Sequence, residues 1–182
     1  MKNRRRQTGF SMIEVLVTFL LITIGILGMI ALQGRAIGYT QDSVQRNTAA
    51  MLADDLLELM RANLNETLGA NGLPKSTSGY YKAKGADFGA VTDANCATTS
   101  TIASRQLACW AREAARRLPG ASDILNSEFY VCRSAAVGTC SSNGSAIEIQ
   151  LAWKVKSGEC LDSNAASDSD LTICRYRLRS EL

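Results

Sequence analysis

From Phe10 to Leu32 the chain carries a single ionisable side chain, Glu14, within 23 residues of otherwise uninterrupted apolar sequence. A helix of about 20 such residues crosses the hydrocarbon of a bilayer. Lys2, Arg4, Arg5 and Arg6 precede it, and the first nine residues contain no acid. That asymmetry sets the N-terminus on the cytoplasmic side. A carboxylate deep in lipid costs roughly 2.5–3.5 kcal/mol on insertion scales, so Glu14 needs a compensating partner. The polar-to-apolar junction is Gly9–Phe10, on the cytoplasmic side. An ordinary secretory signal is cut after its apolar core. A cut at Gly9–Phe10 would instead leave the apolar arm on the product.

The rest of the chain is of ordinary polarity. The net charge of +3 comes from the leader: without its four cations the side chains sum to −1. No basic surface for phosphates is implied, and the charge balance does not favour nucleic acid as a partner. The 182 residues contain no histidine. That removes the common His-dependent hydrolase arrangements and His-ligated zinc. No phosphate-binding loop, dinucleotide fingerprint or nucleophile elbow is present. Asp162, Asp168 and Asp170 lack the spacing of a calcium loop. The expectation is a non-enzymatic chain with no metal and no cofactor.

Six cysteines, Cys96, Cys109, Cys132, Cys140, Cys160 and Cys174, all follow the apolar run, and none forms a CxxC pair. An even number at wide spacing reads as disulfides in an oxidising compartment. Many pairings are open. Proximity alone favours Cys132–Cys140 and Cys160–Cys174, leaving Cys96–Cys109.

Beyond the span the pattern turns amphipathic to about Leu68, with Val44, Thr48, Met51, Leu52, Leu56, Leu59 and Met60 on one stripe. Gly69, Gly72 and Pro74 stop the helix. The whole helix is expected to cover about 55 residues, roughly 80 Å at 1.5 Å per residue. Residues 71–104 read as an irregular connection, with a short strand at Tyr80–Lys82. Gln106–Leu118 reads as a helix ended by Pro119-Gly120. Arg112, Arg116 and Arg117 on it read as a solvated face in preference to a basic patch. Three strands follow, at Glu128–Arg133, Ala146–Val155 and Thr172–Arg179. The second alternates Ile147, Ile149, Leu151, Trp153 and Val155 on one side. The third turns Cys174, Tyr176 and Leu178 inward and Arg175, Arg177 and Arg179 outward. This predicts an α+β fold: a long N-terminal helix packed on an antiparallel sheet of at least three strands, with the other sheet face toward water.

Gly9-Phe10-Ser11-Met12-Ile13-Glu14-Val15, behind a short basic leader, resembles the class III leader of type IV pilins and pseudopilins. The resemblance implies that a membrane peptidase cuts after Gly9 and methylates the new amino terminus at Phe10. It also implies that Glu14, the fifth residue of the mature chain, docks on the N-terminal amine of a neighbouring subunit. The domains would then be 1–9 leader, 10–37 membrane or fibre-core half-helix, 38–68 amphipathic half-helix, and 69–182 head. The head is similar, more loosely, to the PilV-type minor pilins of the type IV pilus. That likeness implies a structural subunit that primes pilus assembly in a tip complex serving adhesion and twitching motility. Its partners would be other minor pilins, the major pilin, the prepilin peptidase/methylase, the inner-membrane assembly platform and a tip adhesin. The chain would wait in the inner membrane with its head in the periplasm, then move to the cell-surface pilus. A type II secretion pseudopilin shares the same leader, and a DNA-uptake pilin is the further alternative. A periplasmic enzyme on an uncleaved anchor is a third class.

Overall fold

A computed structural model describes residues 9–98, 100–161 and 170–182. The leader cations, Asp162 and Asp168 lie outside the described residues. The elements run α1 (Met12–Ala62), α2 (Leu64–Thr67), α3 (Asp93–Ala97), α4 (Ala103–Arg117), α5 (Ala121–Glu128), β1 (Tyr130–Ala136), β2 (Thr139–Cys140), β3 (Ala146–Lys154) and β4 (Ile173–Ser180). The chain divides into two units, one ending at Gly38 and one beginning at Tyr39.

In the first unit α1 is apolar and exposed throughout, from Met12 at 86% to Leu32 at 71%. It is the one described helix long and apolar enough to cross a membrane. Among the described residues nothing covers these apolar side chains, and an exposed apolar surface of this size calls for an apolar environment.

In the second unit α1 packs on a four-stranded antiparallel sheet of order β2-β1-β3-β4. The fold is α+β and pilin-like, with disulfides in the head. The packing face of α1 is rotated from the stripe expected from sequence. Ala49, Leu52, Ala53, Leu56, Leu57 and Met60 are buried, whereas Val44 (55%) and Met51 (62%) face outward. Small Ala49 and Ala53 let the helix approach closely, a signal that a count of large hydrophobes passes over. The helix also ends sooner than Leu68. Asn63 leaves helical geometry (φ −128°, ψ 55°), and its side-chain amide donates to Thr101 O at 3.3 Å. Buried Thr67, in the short α2 that follows, reaches back to Met60 O at 3.3 Å. Side chains that bond nearby backbone in this way compete with helix continuation.

Helix α4 buries Ala103, Leu107, Ala108, Trp110, Ala111 and Ala114. Trp110 donates its indole N–H to Leu52 O on α1 at 2.7 Å and meets Phe88 and Phe129 with ring centroids 6.4 Å away. Pro119-Gly120 ends α4, as its sequence reads, and a second helix that the sequence did not announce, α5, follows at once. Gly120 makes the junction in the left-handed region (φ +61°), and an added Cβ there would stand 2.8 Å from the Lys154 stem. Both facts demand glycine. The Tyr80–Lys82 segment contributes one bridge, Lys82 to Val131, in place of a strand. β1 accordingly starts at Tyr130, because Glu128 ends α5.

The sheet departs from the one-wet-face expectation. Ile147, Ile149, Leu151 and Trp153 are fully buried on the helix side, but Glu148, Gln150 and Ala152 on the opposite side are buried as well. Register explains the cover. Glu148 lies between Cys132 and Arg179, and Gln150 lies between Tyr130 and Arg177. Glu148 accepts from Tyr130 Oη at 2.5 Å, Ser134 Oγ at 2.9 Å and Gly138 N at 2.9 Å. Gln150 accepts from Arg177 Nε at 2.6 Å. Arg179 reaches across to Ser134 O at 3.2 Å. The β4 arginines thus fold over β3 and shield its polar row, extending their aliphatic stems over it.

Candidate processing and assembly site

Gly9 and Phe10 precede α1 and are exposed, Phe10 at 84%. A protease needs an accessible, non-helical bond, and Gly9–Phe10 has that geometry. Ser11 O accepts from Glu14 N at 3.0 Å and Val15 N at 3.4 Å, which starts the helix one residue later. Glu14 therefore sits in the first turn of α1, where the unpaired N–H groups and the helix dipole favour an anion. Its side chain is exposed. Among the described residues no cation pairs with it.

At 3.6 residues per turn, Glu14 shares a helix face with Thr18, Leu21, Gly25, Gly28 and Leu32. Thr18 satisfies its hydroxyl on Val15 O at 2.8 Å. A Cβ added at Gly25 or Gly28 would meet nothing within 4 Å. Glycine inside a helix costs about 1 kcal/mol relative to alanine. Nothing among the described residues calls for these two.

The head is held by Cys96–Cys109, Cys132–Cys140 and Cys160–Cys174. The first fastens α3 to α4, the second closes the β1–β2 hairpin, and the third ties β4 to the segment after β3. The α4 arginines are engaged: Arg112 and Arg116 with Asp93, Arg117 with Glu113. Asp170 accepts from Thr172 N at 2.9 Å, and these Thr172 bonds hold its carboxyl below the usual range. That is the role of a turn cap.

Three buried polar residues escape a reading by pattern. Asp42 accepts from Trp153 Nε1 at 3.0 Å, Leu161 N at 2.9 Å and Arg46 Nε at 3.1 Å. The spacing 42, 49, 53, 56, 60 places it on the buried face of α1, which is the signal that could have found it. Its oxygens are taken by these donors and the neighbouring Cys160 and Cys174 sulfurs by each other, so this acid–sulfur cluster is accounted for within the fold. Lys82 donates to Asn126 O at 2.6 Å and Phe129 O at 2.8 Å, and its ammonium lies 4.6 Å from the Phe88 centroid. Burial pulls Lys82 down to about 8, against the opposing charge of Asp87. Glu128 pairs with Arg175 at 2.8 Å and Lys84 at 3.3 Å. Burial acts to raise its carboxyl, but bonds and charge from Arg175, with help from Lys84, hold it below the usual range.

Residues 4–30 match the family model of the prokaryotic N-terminal methylation motif. No curated protein and no solved structure matches the chain. The motif spans the leader, the Gly9–Phe10 junction and most of the apolar arm, and with the fold it supports a type IV pilin-like protein anchored through that arm.

Proposed function

We propose that the chain is a minor pilin of a type IV pilus, a structural subunit processed by a prepilin peptidase and incorporated beside other pilins. Gly9 is the residue before the cut. Phe10 becomes the methylated N-terminus, and Glu14 is the assembly contact. The observation that carries this reading is the placement of Glu14, exposed, without an ion pair among the described residues and in the first helical turn, within an apolar arm that follows the Gly9–Phe10 junction.

The mechanism is electrostatic docking within an apolar medium. Cleavage creates an amine on Phe10, and methylation keeps it cationic. In a bundle of subunits, Glu14 of one chain meets the Phe10 amine of the next. At low dielectric each charge relieves the desolvation of the other, which sets the axial register. Transfer from membrane to fibre changes little in apolar exposure, since the arm is buried in both. Gly25 and Gly28, on the Glu14 face and unconstrained within the subunit, support close approach of a neighbouring helix.

Glu14→Ala tests the contact. The expected result is normal cleavage and membrane insertion with loss of the subunit from sheared pili. Equal incorporation of Glu14→Ala and the natural chain would remove the proposed role of the carboxylate.

A further inference from the structure

The fold treats the sulfurs of its disulfides unequally. Cys174 is fully buried on β4, opposite Trp153 in register and beside Asp42. Cys96 and Cys109 are both half-buried and line a cleft of about 250 Å³ with Leu52 and Trp110. Cys132 is half-buried too, but its partner Cys140 is exposed. These two line a larger cavity, about 430 Å³, together with Tyr81, Val131, Ser141 and Ser142. The charged residues in its wall are the cations Lys84 and Arg133, so no carboxylate there repels an incoming thiolate. Exchange of a disulfide requires a thiolate to reach one of its sulfurs, and exposed disulfides are the labile ones.

The hairpin that this bond closes is also held without it. Cys132 and Cys140 stand 8 residues apart, against 13 and 14 for the other two pairs, so their bond restrains the unfolded chain least. Cys140 pairs with Ser134 in the sheet, and Ser141 N donates to Arg133 O at 2.8 Å. At the turn, Gly138 N donates to the buried Glu148 carboxylate at 2.9 Å. None of these bonds passes through a sulfur.

We infer that Cys132–Cys140 is a redox-exchangeable site in the folded head, and that Cys140 is the sulfur a small thiol modifies. The thiolate of that thiol attacks Cys140 Sγ and forms a mixed disulfide. The Cys132 sulfur leaves with the electron pair of the broken bond and takes a proton from water. A second small thiolate then attacks the first at its sulfur in the mixed disulfide. The two small thiols depart as an oxidised pair, and Cys140 is left as the thiolate. One protein disulfide is reduced and two small thiols are oxidised. Residues 135–139 lose their covalent staple while the head stays folded. The site belongs to the head alone and stands whatever becomes of Gly9 and Glu14.

The test exposes the full chain in detergent micelles to reduced glutathione, stops the reaction by alkylation and maps the labelled cysteines by mass spectrometry. Cys132 and Cys140 should be labelled at least about tenfold faster than either other pair, a barrier difference of about 1.4 kcal/mol. Circular dichroism and tryptophan fluorescence should stay native while they react. Oxidised glutathione then identifies the entry sulfur. The lone Cys140 of Cys132→Ser should take up the adduct faster than the lone Cys132 of Cys140→Ser. Earlier labelling of Cys96–Cys109 or Cys160–Cys174, or release of all six thiols together with loss of the fold, would overturn the site. An adduct forming on Cys132 as fast as on Cys140 would overturn the choice of sulfur. A Cys132→Ser/Cys140→Ser chain that fails to fold would show that the hairpin needs the bond, against the assignment.

Discussion

Trp153 on β3 donates its indole N–H to Asp42 on α1 at 3.0 Å, and both residues are buried. The same carboxylate takes Leu161 N, next to the Cys160–Cys174 disulfide, and Arg46, whose guanidinium lies 5.6 Å from the Trp153 ring centroid. One acid thus joins helix, sheet and disulfide loop. Asp42→Ala strands the Trp153 and Leu161 donors, each worth about 1–3 kcal/mol when left unsatisfied. Denaturant melts of the oxidised protein, followed by tryptophan fluorescence, should show a loss of at least about 2 kcal/mol. Trp153→Phe should also destabilise, because it leaves buried Asp42 Oδ1 without this donor and takes ring volume from a fully buried site.

Gly144 and the arm glycines should separate folding from assembly. A Cβ on Gly144 would lie 2.4 Å from backbone atoms of Ser134, with nowhere to go. Gly144→Ala should therefore destabilise the head by about 1–3 kcal/mol or more, as overpacking does. Gly25→Ala and Gly28→Ala should leave the isolated subunit as stable or slightly more so, by about 0.5–1 kcal/mol. Their effect should appear only in incorporation into pili. Thermal melts of the three variants beside blots of sheared filaments check the contrast.

Alkaline titration should bend the stability profile twice. Lys82 sits near 8 in the fold against about 10.4 in an unfolded chain. Between those values the unfolded chain binds more protons, so this group makes stability rise with pH. Tyr80, Tyr81, Tyr130 and Tyr176 are all raised, chiefly by burial. Above about pH 10 the unfolded phenols ionise first, and stability falls. Lys82→Met should abolish the rising limb and spare the fall. Melting temperatures from pH 7 upward measure both.

Acid should act through Glu128, whose folded value is depressed by Arg175 and Lys84. Its contribution is present above the unfolded carboxyl value, about 4.3, and is lost as pH falls through the lower folded one. Glu128→Gln should lower stability at neutral pH and flatten the acid limb. A variant with an unchanged acid limb would show that the pair contributes nothing measurable.

How far the chain could be read without coordinates follows from which forces act locally. The apolar arm and its lone Glu14 were legible because a membrane span is specified by residues adjacent in sequence. The three long strands and α4 were legible through alternation and helical spacing, although every boundary except the start of β3 at Ala146 moved by one to three residues. α5 was hidden because Pro119-Gly120 stops α4, as it reads, and Gly120 then opens a second helix directly behind that stop. The burial of β3 on both faces was hidden for another reason. Glu148 and Gln150 read as water-facing, and only the register with Arg177 and Arg179 reveals what covers them. Asp42 was missed because a lone acid on an amphipathic helix reads as solvent-facing until Trp153 is found opposite it.

The most direct measurement is the intact mass of this chain recovered from native filaments, taken with and without reductant. A processed subunit begins at Phe10, carries one N-terminal methyl group, and gains the mass of six hydrogens on reduction of its three disulfides. A chain that still begins at Met1 in assembled filaments would contradict the cut at Gly9–Phe10, and with it the amine on which Glu14 is proposed to dock.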